Sequence, residues 1–120
     1  MARKGYKKYR AVKVEVDGVT FDSKREAERY LELKLMVKNG EISGLQLQPA
    51  FELQEGFTNS KGQKVRPIIY KADFAYYDTR TNENIVEDVK SPYTAKDTVY
   101  RMKMKMFIYK YKDLTFIEYI

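Results

Sequence analysis

The sequence predicts an α/β (α+β) domain in which a mixed sheet is combined with two helices. The spacing of apolar residues alternates along the chain between the two-residue period of strands and the 3.6-residue period of helices. Glycine-containing turn and helix-stop signals separate these segments. A chain of 120 residues is long enough for one two-layer core and too short for two. We therefore expect a flexible basic arm over residues 1–10 and a single domain over residues 11–120.

The first predicted element is a β-hairpin. Apolar and polar side chains alternate in the run AVKVEVDGVTF, on both sides of the dipeptide Asp17-Gly18. This dipeptide is typical of two-residue type I′ turns. Residues 11–16 and 19–21 should therefore pair as the two strands of the hairpin.

The remaining elements are predicted in the order αβββαβ, a pattern typical of a domain built around a mixed sheet. Pro49 marks an edge or a bulge in the first strand, because proline cannot donate to a strand ladder. The predicted segments are a helix from Ser23 to Asn39-Gly40, a strand over 45–54, a loop over 55–64, strands over 65–78 and 84–90, a helix over 95–110, and a strand over 114–120.

The composition excludes several classes of function. The chain has no Cys and no His, which removes disulfides, thiolate and imidazole metal sites, and His-based catalysis. It contains no run of about 18 apolar residues that would span a membrane, and its basic N-terminus has no apolar stretch behind it. We therefore expect a cytoplasmic protein whose chemistry depends on carboxylates, Lys, Tyr, hydroxyls or a bound ion.

The net charge of +6 is concentrated in two segments that contain tyrosines. Residues 1–13 contain six basic and no acidic residues, and residues 96–112 contain six basic residues and one acid. Basic side chains neutralise phosphates and aromatic faces stack on bases, so the pattern favours nucleic-acid binding. A solvated arm and an ordinary charged helix are the alternative. The candidate contact residues are Lys4, Lys7, Lys8, Arg10, Arg101, Lys103 and Lys105.

Glu26 is an acid on the apolar face of the first predicted helix. At about 100° per residue, it lies in the middle of the stripe formed by Tyr30, Leu33 and Val37. The sequence Ser23-Lys-Arg-Glu26 also fits a capping box, in which the glutamate bonds back to the helix start. The two interpretations are compatible, because a helix start that faces the sheet can present its carboxylate to a shared site.

Two aspartates fall in neighbouring predicted strands. Asp73 lies inside a strongly β-forming run, and Asp88 shares one face of the next strand with Lys90, whereas Glu87 takes the other face. Glu26 can complete a cluster of three acids beside a lysine. Oxygen ligands without His favour Mg²⁺ or Mn²⁺. A salt-bridged strand pair on a solvated sheet face is the alternative.

This set of motifs resembles the PD-(D/E)xK nuclease superfamily, with its restriction-endonuclease-like fold. The similarity is greatest to phage junction-resolving endonucleases of the endonuclease I type and to a related family of small phage proteins, and it covers residues 20–119. The motifs are Ser23-x-x-Glu26, then Tyr70-Lys-Ala-Asp73-Phe74, then Val86-Glu-Asp88-Val-Lys90.

The resemblance assigns roles by position. It implies that Glu26, Asp73, Asp88 and the Val89 carbonyl bind the metal, and that Lys90 is the catalytic lysine. Ala72 stands where many members have Pro. Glu87 is expected to be an acid next to the site, and Gln48 a residue that faces the site from the first core strand.

The function expected from these features is metal-dependent hydrolysis of DNA phosphodiester bonds. The resemblance implies cleavage of branched DNA such as Holliday junctions, in phage recombination or replication. Cutting both strands implies a homodimer, for which the hairpin over 11–21 is the candidate interface. The alternatives are a catalytically inactive DNA-binding module of phage replication or packaging and a nuclease that acts on ends or single strands, and RNA stays open as a substrate.

Overall fold

The computed structural model describes residues 12–120. The first element is a hairpin of two antiparallel strands, β1 (Val14–Val16) and β2 (Val19–Phe21). Asp17 and Gly18 have φ values of 54° and 78°. A type I′ turn needs positive φ at both central residues, so the predicted hairpin and turn are confirmed in the described residues. The basic arm with Lys4, Lys7, Lys8 and Arg10 lies outside them.

The first helix, α1 (Lys24–Lys38), begins and ends at the predicted residues. The Ser23 side chain accepts a hydrogen bond from the Glu26 amide, and the Asn39 amide closes the last turn on Leu35. Gly40 follows with a φ of 76°, a conformation that glycine adopts without strain. Tyr30 and Leu33 are buried as predicted, but Val37 is 40% exposed because the last turn extends beyond the core.

The centre of the molecule is a four-stranded mixed sheet. Strands β3 (Ile42–Leu47), β8 (Phe74–Asp78) and β9 (Glu83–Val89) are antiparallel neighbours. The second helix, α2 (Thr98–Lys110), then leads to β10 (Leu114–Tyr119), which pairs in parallel with β9, so the strand order is β10-β9-β8-β3. The α/β class, the mixed sheet and the order αβββαβ are therefore confirmed.

Two strands predicted as continuous are broken at the same place. The chain leaves the central sheet after β3, and β4 (Ala50–Gln54) pairs with β7 (Ile68–Lys71) in a separate two-stranded sheet. The breaks face each other: the Gln48 amide donates to the Asp73 carbonyl at 2.9 Å, and the Ala72 amide donates to the Pro49 carbonyl at 3.0 Å. Gln48 has a φ of 51°, which interrupts the extended backbone.

The segment predicted as a loop over 55–64 contains further strand pairing. Strands β5 (Phe57–Thr58) and β6 (Lys64–Val65) are antiparallel and continue the chain path of β4 and β7. Residues 50–71 therefore form one long two-stranded β-ribbon, which we call the ribbon. The prediction of an unstructured loop was wrong, because strands of two residues are too short for a periodic pattern.

The two faces of the central sheet bury two separate clusters. One face packs against the hairpin and α1 through side chains that include Phe21, Leu33 and Phe74. The other face packs against α2 and the base of the ribbon through Tyr70, Val86 and Phe107. Strand β9 is buried on both faces. None of the described helices is long and apolar enough to cross a membrane.

Candidate active site

Asp73 and Asp88 lie opposite each other at the end of the central sheet, where the chain passes from the ribbon into β8. The register pairs Phe74 with Glu87, and the Asp73 amide donates to the Glu87 carbonyl at 3.2 Å. The next pair in this register is Asp73 and Asp88, because opposite residues of antiparallel strands share a face. The break before β8 thus brings a carboxylate to the end of the sheet.

Asp73 is held by the backbone of the neighbouring strand. The Val89 amide donates to its Oδ2 at 2.7 Å. The carboxyl groups of Glu26 and Asp88 are both close enough to Asp73 to affect its pKa. The structure therefore brings together the three predicted acids, although they come from a helix and two strands.

Glu26 caps its helix and faces this cluster at the same time. The Ser23 Oγ accepts from the Glu26 amide at 3.1 Å, and Glu26 Oε1 accepts from the Asp22 amide at 3.0 Å. The predicted capping box forms, but the return bond goes to Asp22 instead of Ser23. Glu26 is only 3% exposed, and one oxygen is free of the cap, so the same carboxyl group can serve the helix and the site.

Asp88 contacts a tyrosine and a lysine. The Tyr70 hydroxyl donates to its Oδ2 in a short hydrogen bond, and Lys90 Nζ lies 3.3 Å from its Oδ1. The Lys90 ammonium also lies 4.4 Å from the centre of the Tyr100 ring, a distance at which a cation is attracted to the ring face. Lys90 is thus fixed between an acid and an aromatic ring.

The two aspartates have unusual proton affinities. Burial, and then the proximity of Glu26, raises the pKa of Asp73 to about 7. Burial, and then the charge of Asp73, raises the pKa of Asp88 to about 7 against the opposing effects of Tyr70 and Lys90. Groups with strongly perturbed pKa values cluster at functional sites, and this pair shares its perturbation with a third acid and a lysine.

Glu87 belongs to a different cluster on the opposite face of the sheet. Arg29 donates to Glu87 through Nε at 2.5 Å and Nη2 at 3.0 Å, and the Tyr76 hydroxyl donates at 2.6 Å. Burial alone would lower the Arg29 pKa, but its bonds to Glu87 and Glu32 raise it. The structure therefore places Glu87 away from Asp73 and from Asp88, its neighbour in the sequence.

The other predicted residues occupy varied positions. Gln48 lies next to the site through its amide bond to the Asp73 carbonyl, and Val89 contributes its amide while the role of its carbonyl stays a prediction. Lys103 Nζ donates to the Ile69 carbonyl at 2.9 Å and joins α2 to the ribbon, and Arg101 donates to the Ala95 carbonyl at 3.3 Å. Lys105 is exposed on α2.

Tyr70 and Tyr100 are site residues that the sequence analysis does not single out. Both are buried, and burial raises the pKa of each hydroxyl further above its ordinary range. Tyr70 bonds to Asp88 from β7, and Tyr100 contacts Lys90 from α2. No periodic pattern encodes pairs between different elements. The one available signal was the large number of tyrosines, eleven in the chain.

The donor set fits a hard divalent cation. Three carboxylates without His or Cys match the oxygen ligands of Mg²⁺ and Mn²⁺. A cation would also favour the charged forms of the two aspartates, which burial and neighbouring acids disfavour. Across residues 12–120, however, no three acidic side chains already form a ready-made metal-binding group. The chemistry of the residues therefore fits a metal, and its binding would complete their arrangement.

The comparison with protein families assigns the chain to a known group. It belongs to the family described as protein of unknown function (DUF1064), whose model matches residues 6–119. No curated protein and no solved structure matches the chain. The match spans the hairpin, both helices and every strand of the central sheet.

Proposed function

We propose that this protein is a metal-dependent endonuclease that hydrolyses DNA phosphodiester bonds. The observation that supports the proposal best is the meeting of Glu26, Asp73 and Asp88 beside Lys90, with two of the acids perturbed to a pKa of about 7. A salt-bridged surface pair would not raise these pKa values, because it would be hydrated. The resemblance of the same residues to PD-(D/E)xK motifs agrees with this proposal.

Each residue of the site has a role in this proposal. Glu26, Asp73 and Asp88, with the Val89 carbonyl, would hold Mg²⁺ or Mn²⁺, which supplies charge neutralisation at the phosphate and activation of water. Tyr70 fixes the orientation of Asp88 through its hydroxyl. Lys90 stabilises negative charge that develops on the phosphate oxygens, and the Tyr100 ring keeps its ammonium at the site.

The class of substrate follows from charge and resemblance. The basic segments favour DNA as the partner, and the resemblance favours branched DNA such as a Holliday junction in phage recombination or replication. A homodimer would supply the two cuts that resolve a junction. The proposed place of action is the cytoplasm of a bacterial host.

The proposal is tested with a labelled synthetic four-way junction and a matched linear duplex. Nicking should require Mg²⁺ or Mn²⁺ and stop with EDTA. Asp88→Asn should reduce the cleavage rate at least about 100-fold, because it removes a charged ligand and disturbs the position of Lys90. Lys90→Ala should have a similar effect, and both variants should still bind DNA.

The matched control is Lys38→Ala. Lys38 is exposed in the last turn of α1, at the end opposite Glu26. This variant should cut like the wild type. Cleavage that survives EDTA, or that is unchanged in Asp88→Asn and Lys90→Ala, would refute the proposed chemistry.

The alternative is a catalytically inactive DNA-binding module, which would use the same basic segments without chemistry at the acid cluster. It predicts DNA binding without cleavage under any divalent ion. Calorimetry with Mn²⁺ separates the two functions, because a nuclease should bind the ion through Asp73 and Asp88 and a module that has lost catalysis should not.

A further inference from the structure

The ribbon is a feature that the proposed chemistry does not use. Its outer half runs through β5, a turn over residues 59–63, and β6. Among the described residues, β5 and β6 pair with each other and with no further strand. The outer half of the ribbon therefore extends beyond the base that β4 and β7 form.

The tip of the ribbon is built as a fixed turn. Asn59 Oδ1 accepts from the amides of Lys61 and Gln63 at 3.0 and 2.9 Å, and the Asn59 amide donates to the Gln63 carbonyl at 2.8 Å. The two side chains also bond to each other at 3.0 Å. A surface turn with this many internal bonds is pre-organised, so its side chains keep their positions before any partner arrives.

The outer ribbon is basic and contains an exposed aromatic residue. The segment over 56–72 contains four basic residues and no acid. Within the described chain, the charged groups of Lys61, Lys64 and Arg66 form no hydrogen bond or ion pair, and all three residues are exposed. Phe57, opposite Val65, is 48% exposed. This is a surface complementary to a polyanion with an apolar component.

The ribbon is connected directly to the candidate active site. Strand β7 runs into Ala72 and Asp73 without any intervening loop. Lys103 Nζ ties the ribbon to α2 by its bond to the Ile69 carbonyl, and Lys110 Nζ and the Tyr111 hydroxyl both donate to the Glu52 carbonyl. The base of the ribbon is thus fixed to the domain, and its tip has a defined direction from the acids.

We propose that the outer ribbon docks in a groove of double-stranded DNA and holds the duplex against the acid cluster. The inference rests on the proposed function for the class of partner. A two-stranded ribbon fits the major groove of B-DNA, which is about 12 Å wide. Lys61, Lys64 and Arg66 contact phosphates at the groove edges, and Phe57 makes an apolar contact.

The geometry also limits where the ribbon reaches. Lys64 stands nine residues before Asp73. At about 3.3 Å per strand residue and about 3.4 Å per base pair, its reach is at most about 30 Å, or nine base pairs from the reacting phosphate. A duplex that continues for about nine base pairs beyond that phosphate should therefore be long enough to keep the Lys64 contact.

The first test measures DNA binding in EDTA, so that no cleavage occurs. Lys61→Ala/Lys64→Ala should weaken binding to a 30-base-pair duplex roughly tenfold and lower the slope of log K against log salt by about 1.8, because each lost phosphate contact removes about 0.9. Lys34→Ala/Lys38→Ala removes the same charge from the exposed C-terminal half of α1, outside both basic segments and the ribbon, and it should change neither quantity. Equal thermal unfolding of the variants verifies that both fold.

The second test maps the ribbon on DNA. Because the chain has no Cys, Ser60→Cys gives a single attachment point for iron-EDTA at the tip, and Glu28→Cys gives a control on the exposed face of α1. Ser60 stands thirteen residues before Asp73. In an Asp88→Asn background, the Ser60 probe should therefore cut both strands of a four-way junction arm within about 13 base pairs of the branch, at about 3.3 Å per residue and about 3.4 Å per base pair. The Glu28 probe should cut weakly and without a preferred position.

The outcomes separate this inference from the proposed chemistry. If the wild type cuts nothing under any divalent ion but the lysine pair lowers duplex affinity as stated, the ribbon inference holds and the endonuclease proposal fails. If the wild type cuts DNA but the lysine pair leaves affinity and salt slope unchanged, the ribbon inference is overturned. Tighter binding to single-stranded DNA or RNA than to duplex, with the same lysine dependence, also overturns it.

Discussion

The charges of Asp73 and Asp88 oppose folding above neutral pH. Their folded pKa of about 7 exceeds the ordinary 3.8, so the folded state binds protons more tightly than the unfolded state. The free energy of unfolding therefore falls as the pH rises from about 4 to 7 and stays low above it. Most carboxylates in proteins act in the opposite direction, and a site selected only for stability would not keep this pair.

The first prediction concerns Asp88→Asn. Removing one charge of the pair should raise the free energy of unfolding by about 2 kcal/mol at pH 8 and change it little at pH 4, where both aspartates are protonated. Urea denaturation at the two pH values measures the difference. An equal change at both pH values would show that packing, and not charge, determines the effect.

The second prediction concerns the buried ion pair of Arg29 and Glu87. Glu87→Gln should destabilise the fold by about 3 kcal/mol, because it leaves a buried guanidinium without its charge partner. Glu32→Gln, which removes the exposed partner of the same arginine, should cost less than about 1 kcal/mol. Urea denaturation at pH 7 measures the free energy of unfolding of both variants and of the wild type.

The rate of the proposed DNA cleavage gives a second test of where Glu87 lies. Since Glu87 lies on the face away from Asp88, folded Glu87→Gln protein should keep the wild-type cleavage rate at saturating Mg²⁺. A rate that falls together with that of Asp88→Asn would place Glu87 in the active site instead.

Among the elements, the ribbon depends on one close approach at Gly56. A Cβ added there would lie 3.1 Å from both Pro67 Cδ and the Val65 carbonyl oxygen. Gly56→Val should therefore open the outer ribbon, at a cost of about 1–3 kcal/mol. Limited trypsin digestion after Lys61 or Lys64 should become roughly tenfold faster or more, since about 1.4 kcal/mol corresponds to a tenfold change in the open population.

The control is Thr58→Val, which replaces an exposed residue of β5 by one of similar size. It should digest like the wild type. The ribbon is expected to open while the central sheet stays folded. If Gly56→Val unfolds globally at the same rate as trypsin cleaves it, the effect is not local and the prediction is contradicted.

The elements differ in how well the sequence predicts them, and the difference is physical. The hairpin and α1 are specified by local signals: the Asp17-Gly18 turn, the Ser23 cap and the Asn39-Gly40 stop. The prediction of continuous strands over 45–54 and 65–78 was wrong. Alternation of apolar and polar side chains shows that a segment is extended, but it does not show which strand the segment pairs with. At Gln48 and Asp73 the chain passes between the central sheet and the ribbon, and this change of pairing partner depends on the tertiary structure.

At the scale of the whole molecule, the topology explains why the predicted acids meet. Antiparallel neighbours joined by a short turn place Asp73 opposite Asp88, and period two places Lys90 on the same face. These relations can be derived from a sequence. The contacts of Tyr70 and Tyr100 could not be derived from the sequence, because they depend on how α2 and the ribbon pack over the sheet.

The parallel pairing of β10 with β9 sets an order for folding. Strands β8 and β9 are joined by four residues, whereas β9 and β10 are joined by a crossover of 24 residues that contains α2. Closing the longer loop costs more chain entropy, and parallel contacts between distant segments form slowly. The Lys90 amide donates to the Tyr119 carbonyl at 2.9 Å, so the backbone of the lysine is fixed only when the crossover closes. A refolding chain should therefore bring the two aspartates together early and fix the backbone of Lys90 last.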